Sequence, residues 1–552
     1  MFAMKKSVVC WIASCLSVVT AFAYEWTGAV DASWKNEGNW NPAGYPHEAS
    51  DAALFAKDAS VSLDTGVRTE IRALQSTAGT TTITATDGSS VGLNVINDNT
   101  QCLQVKPGAT LVLDTPVTVS SNGRIDRYYE GTLVYRRAFT NLVSGTFGLI
   151  TCCGTNIVEG TADFYLPNSG LYLGMDSNYG RNHTWPFVVR DRATVHVKAI
   201  GYAGGGTVPD MQFVQDGEQT VVQVDGNITF EQKRRDNDDH AYVLKVGALT
   251  VGGTVTVDAS TVDAEGTVGD PLKPHFIVEG GTARVYEMSL SSASAALKGG
   301  MLTLTKGAGA VSAAADCSLN VYGGTLAIAV PDKGSVSPKD ITGVRYQGRF
   351  GLVATNDNNN GTLNWDWSGC DIGPDACYVL PLRQRIAMLH HLCSYDLPIE
   401  IPAGVDFWLP SNRTASNGDG NTRVTAPAGS YRPWKVKIDD GATLRLQDAS
   451  VRLQLPLDLA IEGSGRFNMG GARNFAVAHR VTTNGVELAK GRYRAGMNHP
   501  WLNNGSYSSV VIPYVWTGAG DGTSWNDGDN WAGGEVPPSA DTNCVDLSQA
   551  KT

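Results

Sequence analysis

The residues best suited to contact a ligand are two tryptophans in the stretch LNWDW at 363–367. Trp365 and Trp367 are two residues apart, so on a β-strand both indole rings face the same side. Two exposed indoles, with Asp366 between them, would form a stacking platform for sugar rings. The alternative is that the rings plug an edge of the fold or pack against an inserted loop. The pair is the candidate ligand-binding site, and both interpretations stay open.

Carboxylates that could perform acid–base chemistry cluster in two places. Glycoside hydrolases use two carboxylates a few ångströms apart, whereas polysaccharide lyases use a basic residue, often with calcium. The stretch EQKRRDNDDHAY contains four candidates: Asp236, Asp238, Asp239 and His240. Its flanking basic residues indicate a solvated loop of mixed charge. Asp439 and Asp440 precede a short G-A-T-L segment and indicate a turn. The catalytic residues therefore stay unknown.

No metal or cofactor site is expected from the remaining polar motifs. The stretch NGDGN at 417–421 alternates oxygen ligands, but one carboxylate without a distal Glu fits a tight polar turn better than a calcium loop. His390 and His391 are adjacent and would point to different faces of a helix, so they cannot grip one metal together. Cys370 and Cys377 are the expected disulfide if the chain reaches an oxidising space.

The N-terminus predicts export. Lys5 and Lys6 precede an apolar stretch that ends in the small-x-small site at 21–23, and this pattern is typical of a signal peptide cleaved after Ala23. A lipobox-like stretch, IASC at 12–15, is the alternative, but the apolar residues continue past it. No later segment is long and apolar enough to span a bilayer. We expect a secreted or cell-surface protein.

Composition excludes some partners and favours strands. The chain has 552 residues, 42% hydrophobic and 18% charged, with 62 glycines. Low charge with abundant Gly, Thr and Val favours many short strands and tight turns. The formal net charge is −11, and removal of the signal peptide makes it more negative. A chain of this charge is not expected to bind nucleic acid or anionic lipid, because both are negatively charged.

A recurring pattern of a turn glycine followed by an alternating strand predicts the architecture. It occurs six times, as GATLVL at 108–113, GTVTV at 253–257, GTARV at 281–285, GMLTL at 300–304, GTLAI at 324–328 and GATLRL at 441–446. The spacing between copies is typical of a solenoid in which one repeat makes one coil. We predict an all-β chain that forms a parallel β-helix of on the order of 20 coils. A set of β-sandwiches is the alternative.

The segment 346–421 departs from this pattern. It contains NDNNNG, LNWDWSG, the loop between Cys370 and Cys377, and LPLRQRIAMLHHLC. The last stretch could form a short amphipathic helix, since Leu382, Ile386 and Leu389 fall on one helical face. We expect loops inserted between coils, which in solenoids often lie on the binding face.

The two ends of the chain carry the same motif, W-T-G followed by W, N-W, P and D. In the first copy its residues are Trp26, Thr27, Gly28, Trp34, Asn39, Trp40, Pro46 and Asp51. In the second they are Trp516, Thr517, Gly518, Trp525, Asn530, Trp531, Pro537 and Asp541. The recurring Trp residues indicate a small packed cap over a solenoid coil. With the glycine-led strands, the motif resembles bacterial autotransporter-associated β-strand repeat proteins.

That resemblance implies a right-handed β-helical passenger, exported and either attached to the surface or released, with no particular activity. No barrel-forming segment follows it, so ordinary secretion fits better than self-translocation. The expected organisation is a signal peptide at 1–23, a first W-T-G module at 24–55, β-helix at 56–345 and 422–513 around the loop-rich region at 346–421, and a second module at 514–552. The second module is expected to begin a further repeat domain truncated after Thr552, or else to cap the solenoid.

The expected function is therefore a secreted or cell-surface β-helical protein with a structural, adhesive or glycan-contacting role. Its partner would be a polysaccharide or a cell-envelope glycan, reached through the platform at Trp365 and Trp367. The alternative is a polysaccharide lyase or glycoside hydrolase on the same scaffold, because a fold does not determine a function. The scatter of Asp and Glu over turns favours the binding role.

Overall fold

The computed structural model describes residues 23–94, 102–119, 131–142, 149–151, 154–173, 184–201, 210–231, 241–258, 274–291, 293–381, 384–387, 397–409, 422–424, 434–446, 451–468, 475–494, 499–503, 509–538 and 545–547. They are nearly all strand and make about 12 turns of a parallel β-solenoid. The predicted parallel β-helix is thus confirmed, with fewer turns than the roughly 20 expected from the spacing of repeats. The chain divides into two compact units, Met1–Met175 and Asp176–Thr552.

The described residues of the first unit form sixteen strands and one 3-10 turn. The strands are β1 Ala23–Trp26, β2 Trp40–Asn41, β3 Ala52–Phe55, β4 Ala59–Leu63, β5 Arg68–Ile71, β6 Ala73–Ser76, β7 Thr80–Ala85, β8 Ser90–Leu93, β9 Leu103–Val105, β10 Thr110–Asp114, β11 Val117–Val119, β12 Thr132–Tyr135, β13 Phe139–Asn141, β14 Leu149–Thr151, β15 Thr155–Val158 and β16 Asp163–Leu173. The 3-10 turn is Glu37–Asn39.

Each turn of this unit adds one strand to each of three parallel ladders. The ladders are β3–β6–β9, β4–β7–β10–β12–β15 and β5–β8–β11–β13–β16. One inward row of the second ladder consists of Val61, Ile83, Leu113, Tyr135 and Val158, and all five are buried. Alternation along each strand therefore buries one side of the ladder in a continuous core.

The outward side of the same ladder carries a row of threonines. Thr80, Thr110, Thr132 and Thr155 occupy one register row and are exposed or partly exposed. β-Branched residues suit this pleated surface because their stiff side chains pack against the same residue one coil away. The sandwich alternative is wrong, because the ladders are parallel rather than antiparallel.

The first W-T-G module is a cluster of aromatic rings from β1, β2, β3 and the loop that follows β1. Trp40 packs edge-to-face against Trp26 and Trp34, with ring centroids 4.9 Å apart in both pairs. Phe55 lies beneath all three indoles at 5.9–6.4 Å. The buried amide of Asn39 accepts from the N–H of Val30 at 2.9 Å and donates to the carbonyl of Ser33 at 2.9 Å. The motif therefore specifies a packed cap, and the hydrogen bonds of Asn39 hold the loop between Val30 and Ser33.

In the part of the second unit that the structure describes there are thirty-three further strands. They are β17 Thr184–Arg190, β18 Thr194–Gly201, β19 Asp210–Val224, β20 Ile228–Glu231, β21 Ala241–Asp258, β22 Pro274–Val278, β23 Thr282–Leu290, β24 Ser294–Leu297, β25 Met301–Leu304, β26 Val311–Ala313, β27 Leu319–Val321, β28 Thr325–Ala329, β29 Ser335–Val336, β30 Val344–Tyr346, β31 Arg349–Thr355, β32 Thr362–Asn364, β33 Asp371–Ile372, β34 Cys377–Val379, β35 Arg385–Ala387, β36 Ile399–Ile401, β37 Asp406–Leu409, β38 Thr422–Val424, β39 Trp434–Ile438, β40 Thr443–Leu446, β41 Val451–Ile461, β42 Arg466–Asn468, β43 Phe475–Thr483, β44 Val486–Glu487, β45 Gly491–Arg494, β46 Leu502–Asn503, β47 Ser509–Ile512, β48 Tyr514–Val515 and β49 Val545–Asp546.

Helix in the described part of this unit is limited to three 3-10 turns, Ala308–Ala310, Pro338–Asp340 and Gly528–Asn530. No helix among the described residues of the chain has the length and apolar character needed to cross a membrane. The predicted amphipathic helix is wrong at Ile386, which lies in strand β35 and pairs with Leu363 of β32. Leu382 and Leu389 lie outside the described residues.

An aromatic stack runs through the core of this unit. Phe187, Phe213, Tyr242 and Phe276 are aligned in register on β17, β19, β21 and β22. Their neighbouring ring centroids are 5.2, 4.7 and 5.6 Å apart, at interplanar angles of 18°, 12° and 32°. Rings on successive coils can overlap because parallel pairing holds neighbouring strands about 4.8 Å apart.

The turn glycines explain the G-G-T pattern. Gly281, Gly300 and Gly324 have φ values of 67°, 65° and 69°, a region that favours glycine. Each also lies against the backbone of the previous coil: a Cβ atom at Gly300 would lie 2.3 Å from the carbonyl oxygen of Gly281. One predicted repeat is out of register. The glycine aligned with Gly281 is Gly247, and Gly253 lies further along the same strand, β21, at a register shift between Val251 and Thr254.

Strands continue through the segment 346–421, for which the sequence predicts inserted loops. Strands β31, β34 and β36 pair in parallel, Phe350 with Tyr378 and Tyr378 with Ile399. Strand β36 then pairs with β39, β39 with β41, and β41 with β43. This ladder, from β31 to β43, presents one side to the core and the other to solvent.

The second W-T-G module repeats the geometry of the first. Trp531 packs edge-to-face against Trp516 and Trp525 at 4.9 and 4.7 Å. The amide of Asn530 accepts from the N–H of Gly522 at 2.9 Å and donates to the carbonyl of Ser524 at 3.0 Å. The copies differ in burial, because Trp34 is fully buried whereas Trp525 is 39% exposed.

Candidate functional site

The predicted platform at Trp365 and Trp367 lies inside the solenoid. The two residues follow β32, and their side chains are 0% and 1% exposed. The prediction of an exposed stacking platform is therefore wrong, and the alternative of a packing role is the one that the structure supports. A spacing of two places both rings on one face, as expected, but that face points inward.

The two indoles belong to an aromatic cluster. The Trp365 ring lies 5.4 Å from Trp367 and 5.0 Å from Tyr378, and Trp367 lies 5.1 Å from Tyr346. Neither indole Nε1 has a hydrogen-bond partner among the described residues. Since a buried N–H without a partner costs free energy, the favourable contribution of these side chains comes from apolar packing.

Asp366 points to the other side and stabilises a turn. Its carboxylate accepts from the Ser368 hydroxyl at 2.7 Å and from the Ser368 N–H at 3.1 Å. The same carboxylate pairs with the ammonium of Lys339 at 2.7 Å. With its oxygens engaged by Ser368 and Lys339, Asp366 holds the backbone between the two indoles and a neighbouring turn, a structural role.

Cys370 and Cys377, the predicted disulfide, are both free thiols in the structure. Both are partly buried. Burial raises the pKa of Cys370 to about 12, and burial together with the nearby carboxylate of Glu400 raises that of Cys377 to about 11. Because the thiolate is the reactive form, neither side chain is an activated nucleophile.

The carboxylates singled out in the sequence divide into structural and undescribed residues. Asp440 accepts from the Ser464 N–H and hydroxyl, both at 2.7 Å, and these bonds lower the pKa of its carboxyl group. The predicted turn at Asp439 and Asp440 is confirmed. Candidates at 236–240, 390–391 and 417–421 lie outside the described residues. Within the described ranges no three His, Cys, Asp or Glu side chains are grouped as metal ligands.

A groove that the sequence interpretation missed lies on the outward side of the ladder from β34 to β43. Its volume is about 520 Å³. The described residues that line it are Cys377, Pro398, Ile399, Lys435, Val436, Lys437, Asp458, Leu459, Ala460, Arg480, Thr482 and Gly485. We call this feature the β39–β43 groove.

Strand register arranges the polar side chains of the groove in two rows. Lys435 of β39, Asp458 of β41 and Arg480 of β43 are aligned in one row. A second row aligns Lys437 with Ala460 and Thr482, and the small Ala460 forms the floor between them. Because adjacent strands lie about 4.8 Å apart, each row spans roughly 10 Å across the sheet.

A β-bulge adds a further side chain beside the first row. The register shifts between Leu457 and Asp458, so that His479 is an extra residue on β43 beside Arg480. Both His479 and Arg480 are consequently exposed. The His479 Nδ1 lies 2.8 Å from a carboxylate oxygen of Asp458. Asp458 therefore faces two potential cations on the next strand.

Basic side chains outnumber acidic ones in the groove. Among the described lining residues Lys435, Lys437 and Arg480 are basic, and Asp458 is acidic. The carboxylate of Asp439 lies 2.8 Å from the Lys437 ammonium and raises the pKa of that lysine. Arg480 forms an exposed ion pair with Glu487 at 2.9 Å. Lys435 is exposed and makes no ion pair within the described residues.

A buried charge lies beside the groove. The carboxylate of Glu400 on β36 is 3% exposed, and it pairs with the guanidinium of Arg349 through two contacts, one of them 2.9 Å long. This pair raises the pKa of Arg349. Glu400 is also in register with Lys437, so cations on β31 and β39 flank its negative charge.

The groove presents basic groups and hydrogen-bonding groups to a ligand. A glycoside hydrolase needs two carboxylates at a set separation, and Asp458 is the one carboxylate among the described lining residues. A lyase needs a base with a pKa near the working pH, whereas the pKa of Lys437 is raised.

The sequence held one signal for this groove. Lys435 and Lys437 alternate with the apolar residues Val436 and Ile438, a pattern that predicts a strand with outward-facing lysines.

Comparisons with known proteins find no relative of this chain. No protein-family model matches the chain, no curated protein matches it, and no solved structure matches its fold.

Proposed function

We propose that this chain is a secreted or cell-surface β-solenoid protein with a structural, adhesive or glycan-contacting role, and that the β39–β43 groove is its glycan contact. The export signal supports the location: a basic n-region at Lys5 and Lys6, an apolar stretch and a cleavage site after Ala23. The resemblance of the W-T-G modules to autotransporter-associated repeat proteins supports the same location, and so does the solenoid architecture expected of such chains.

The observation that carries the proposal is the pair of polar rows across adjacent strands. Lys435, Asp458 and Arg480 present donor, acceptor and donor groups in sequence, and the second row adds Lys437 and Thr482. A sugar polymer presents hydroxyl oxygens, which both donate and accept hydrogen bonds, at regular intervals along its length. A face that alternates donors and acceptors over a small floor at Ala460 complements such a polymer.

The electrostatic balance of the chain supports a glycan over other extended partners. The formal net charge is −11, so the chain as a whole does not attract polyanions such as nucleic acid or anionic lipid, and an anionic partner would have to be held by local contacts. The described residues that line the groove include charged and polar side chains among aliphatic ones and no aromatic side chain, whereas a lipid surface selects a broad apolar and aromatic face.

The second module fits the same picture of a long surface protein. Its rings repeat the first module, yet Trp525 and Leu547 are 39% and 56% exposed where Trp34 and Phe55 are buried. The second module therefore leaves apolar side chains exposed at positions where those of the first module are packed.

The test is a binding panel with a variant that fills the groove. Ala460→Trp places an indole on the groove floor, and Ala329→Trp places one at a partly exposed position at the end of β28. Purified mature chain should be retained on at least one plant or cell-envelope polysaccharide. Ala460→Trp should lose that retention while Ala329→Trp keeps it. Equal retention by both variants would contradict the assignment of the groove.

Catalysis is tested with the same preparations. The bound polysaccharide is incubated with the protein, and soluble products are measured by their reducing ends and by ultraviolet absorbance of unsaturated sugars. We expect no products above those of the heat-denatured protein. Release of oligosaccharides that is abolished by Asp458→Asn would overturn the binding role in favour of a lyase or hydrolase.

A further inference from the structure

We infer that the ligand of the β39–β43 groove is an acidic glycan, one that carries carboxylate groups on its sugar rings. This inference rests on the proposed function and deepens it by naming the chemical class of the glycan. It starts from a contrast of charge: a chain with a net charge of −11 gathers three cations and one anion in a single groove.

The three cations are close enough to repel one another. Lys435 and Lys437 alternate on one strand, and Arg480 lies in register with Lys435 two strands away, roughly 10 Å across the sheet. Like charges at this separation are unfavourable unless an anion lies among them. Lys437 pairs with Asp439 and Arg480 with Glu487. Lys435 is thus the cation of the three that makes no ion pair within the described residues.

The counter-ions of the groove are weakly held. The Arg480–Glu487 pair is more than half exposed on both sides, and the Lys437–Asp439 pair includes a lysine that is 46% exposed. Exposed ion pairs of this kind contribute little stability, so a ligand can replace Glu487 at Arg480 at small cost. Lys435 has no counter-ion to displace within the described residues.

Carboxylate chemistry matches these groups better than a neutral ring does. A guanidinium binds a carboxylate through two parallel N–H donors, and Arg480 projects one from the bulge on β43. Lys435 provides a compact charge for a second carboxylate on the neighbouring sugar. Asp458 and Thr482 remain as acceptors and donors for ring hydroxyls. The groove therefore holds partners for both the acid and the alcohol groups of a uronate polymer.

The experiment measures affinity for polygalacturonate and for its neutral methyl ester, each as a function of salt concentration. The polyanion should bind more tightly, and its affinity should fall as salt rises, because the attraction is screened. The variants Lys435→Gln and Arg480→Gln should each weaken polygalacturonate binding roughly tenfold or more, as expected for hydrogen bonds to charged groups. They should weaken methyl-ester binding less, because the neutral polymer loses hydrogen bonds to its oxygens but no ionic contact.

The matched control is Lys298→Gln. Lys298 is an exposed lysine on the same unit, paired with Glu279 at 3.3 Å, so the variant changes net charge equally outside the groove. It should bind polygalacturonate as tightly as the unaltered protein. All variants are checked for unchanged thermal unfolding, so that a loss of binding reports on contacts.

Three outcomes would overturn the inference. Equal affinity for polygalacturonate and its methyl ester, with no effect of Lys435→Gln, would show a neutral glycan and leave the proposed function intact. Weaker binding to polygalacturonate than to a single-stranded DNA of equal charge would assign the groove to nucleic acid. Absence of binding to every polysaccharide in the panel would overturn the proposed function and this inference together.

Discussion

Tyr242 stacks on Phe213 with ring centroids 4.7 Å apart, and its hydroxyl donates a 3.0 Å hydrogen bond to the side-chain oxygen of Gln215. The amide of Gln215 donates in turn to Thr220 and to the carbonyl of Ala248. All of these groups lie in the core or at its margin, so the network links successive coils through polar contacts inside an otherwise apolar stack.

Removal of the Tyr242 hydroxyl should destabilise the second unit. Tyr242→Phe keeps the ring stack but leaves the Gln215 oxygen without a donor in the core, which costs about 1–3 kcal/mol of unfolding free energy. Urea denaturation measures the loss. The control is Tyr322→Phe, because Tyr322 is 46% exposed and its hydroxyl can be replaced by water. Equal stability of the two variants would contradict the role assigned to the network.

The glycine stack predicts a difference between two turn glycines with similar backbone angles. Gly300 and Gly441 have φ values of 65° and 72°, so alanine at either position costs about 1–2 kcal/mol of backbone strain. At Gly300 the new Cβ also meets the carbonyl oxygen of Gly281, whereas at Gly441 nothing lies within 4 Å. Gly300→Ala should therefore lower the unfolding free energy by about 1–3 kcal/mol more than Gly441→Ala. Similar losses would show that coil-to-coil contact is not the reason for the glycine.

The two W-T-G modules should respond differently to the same truncation. Trp34→Ala removes a fully buried indole and should cost about 3–5 kcal/mol. Trp525→Ala removes an indole that is 39% exposed and should cost about 1–2 kcal/mol. Chemical denaturation followed by circular dichroism compares them. A larger loss at Trp525 would mean that the second module is covered in solution by a segment other than those described.

The two free thiols should be unreactive at ordinary pH. Burial raises their pKa values to about 12 at Cys370 and about 11 at Cys377, so the thiolate fraction stays small until the pH approaches these values. Alkylation by iodoacetamide at pH 8 should be slow in the native protein and fast in urea, and the native rate should rise as pH increases towards 11. A peptide map without reductant should show no Cys370–Cys377 crosslink. Finding that crosslink in secreted protein would contradict the free-thiol state and restore the disulfide that the sequence favours.

Sequence patterns were sufficient to predict the solenoid because its determinants are local. Turn glycines such as Gly300 and Gly324, each followed by alternating apolar residues, specify a strand and the direction of its next turn. The motif at the chain ends likewise predicted a packed cap, since Asn39 and Asn530 make the same loop contacts. The register was less accessible, as the exchange of Gly253 for Gly247 shows.

The site could not be predicted because it depends on the sidedness of strands and on register between distant segments. The spacing of Trp365 and Trp367 gives a shared face but not the direction of that face, which the cluster with Tyr378 decides. Lys435, Asp458 and Arg480 are far apart in the sequence. They form one row because successive coils place β39, β41 and β43 side by side. A bulge at His479, invisible in the sequence pattern, then determines which charges point outward.

The most direct test of the account is backbone amide hydrogen exchange of the mature chain with and without oligogalacturonate. If the groove holds the glycan, exchange should slow in the segments around Lys435, Asp458 and Arg480, which form its two rows, while the ladder of the first unit stays unchanged. Unaltered exchange in these three segments under saturating glycan, or protection confined to another surface, would contradict the central claim.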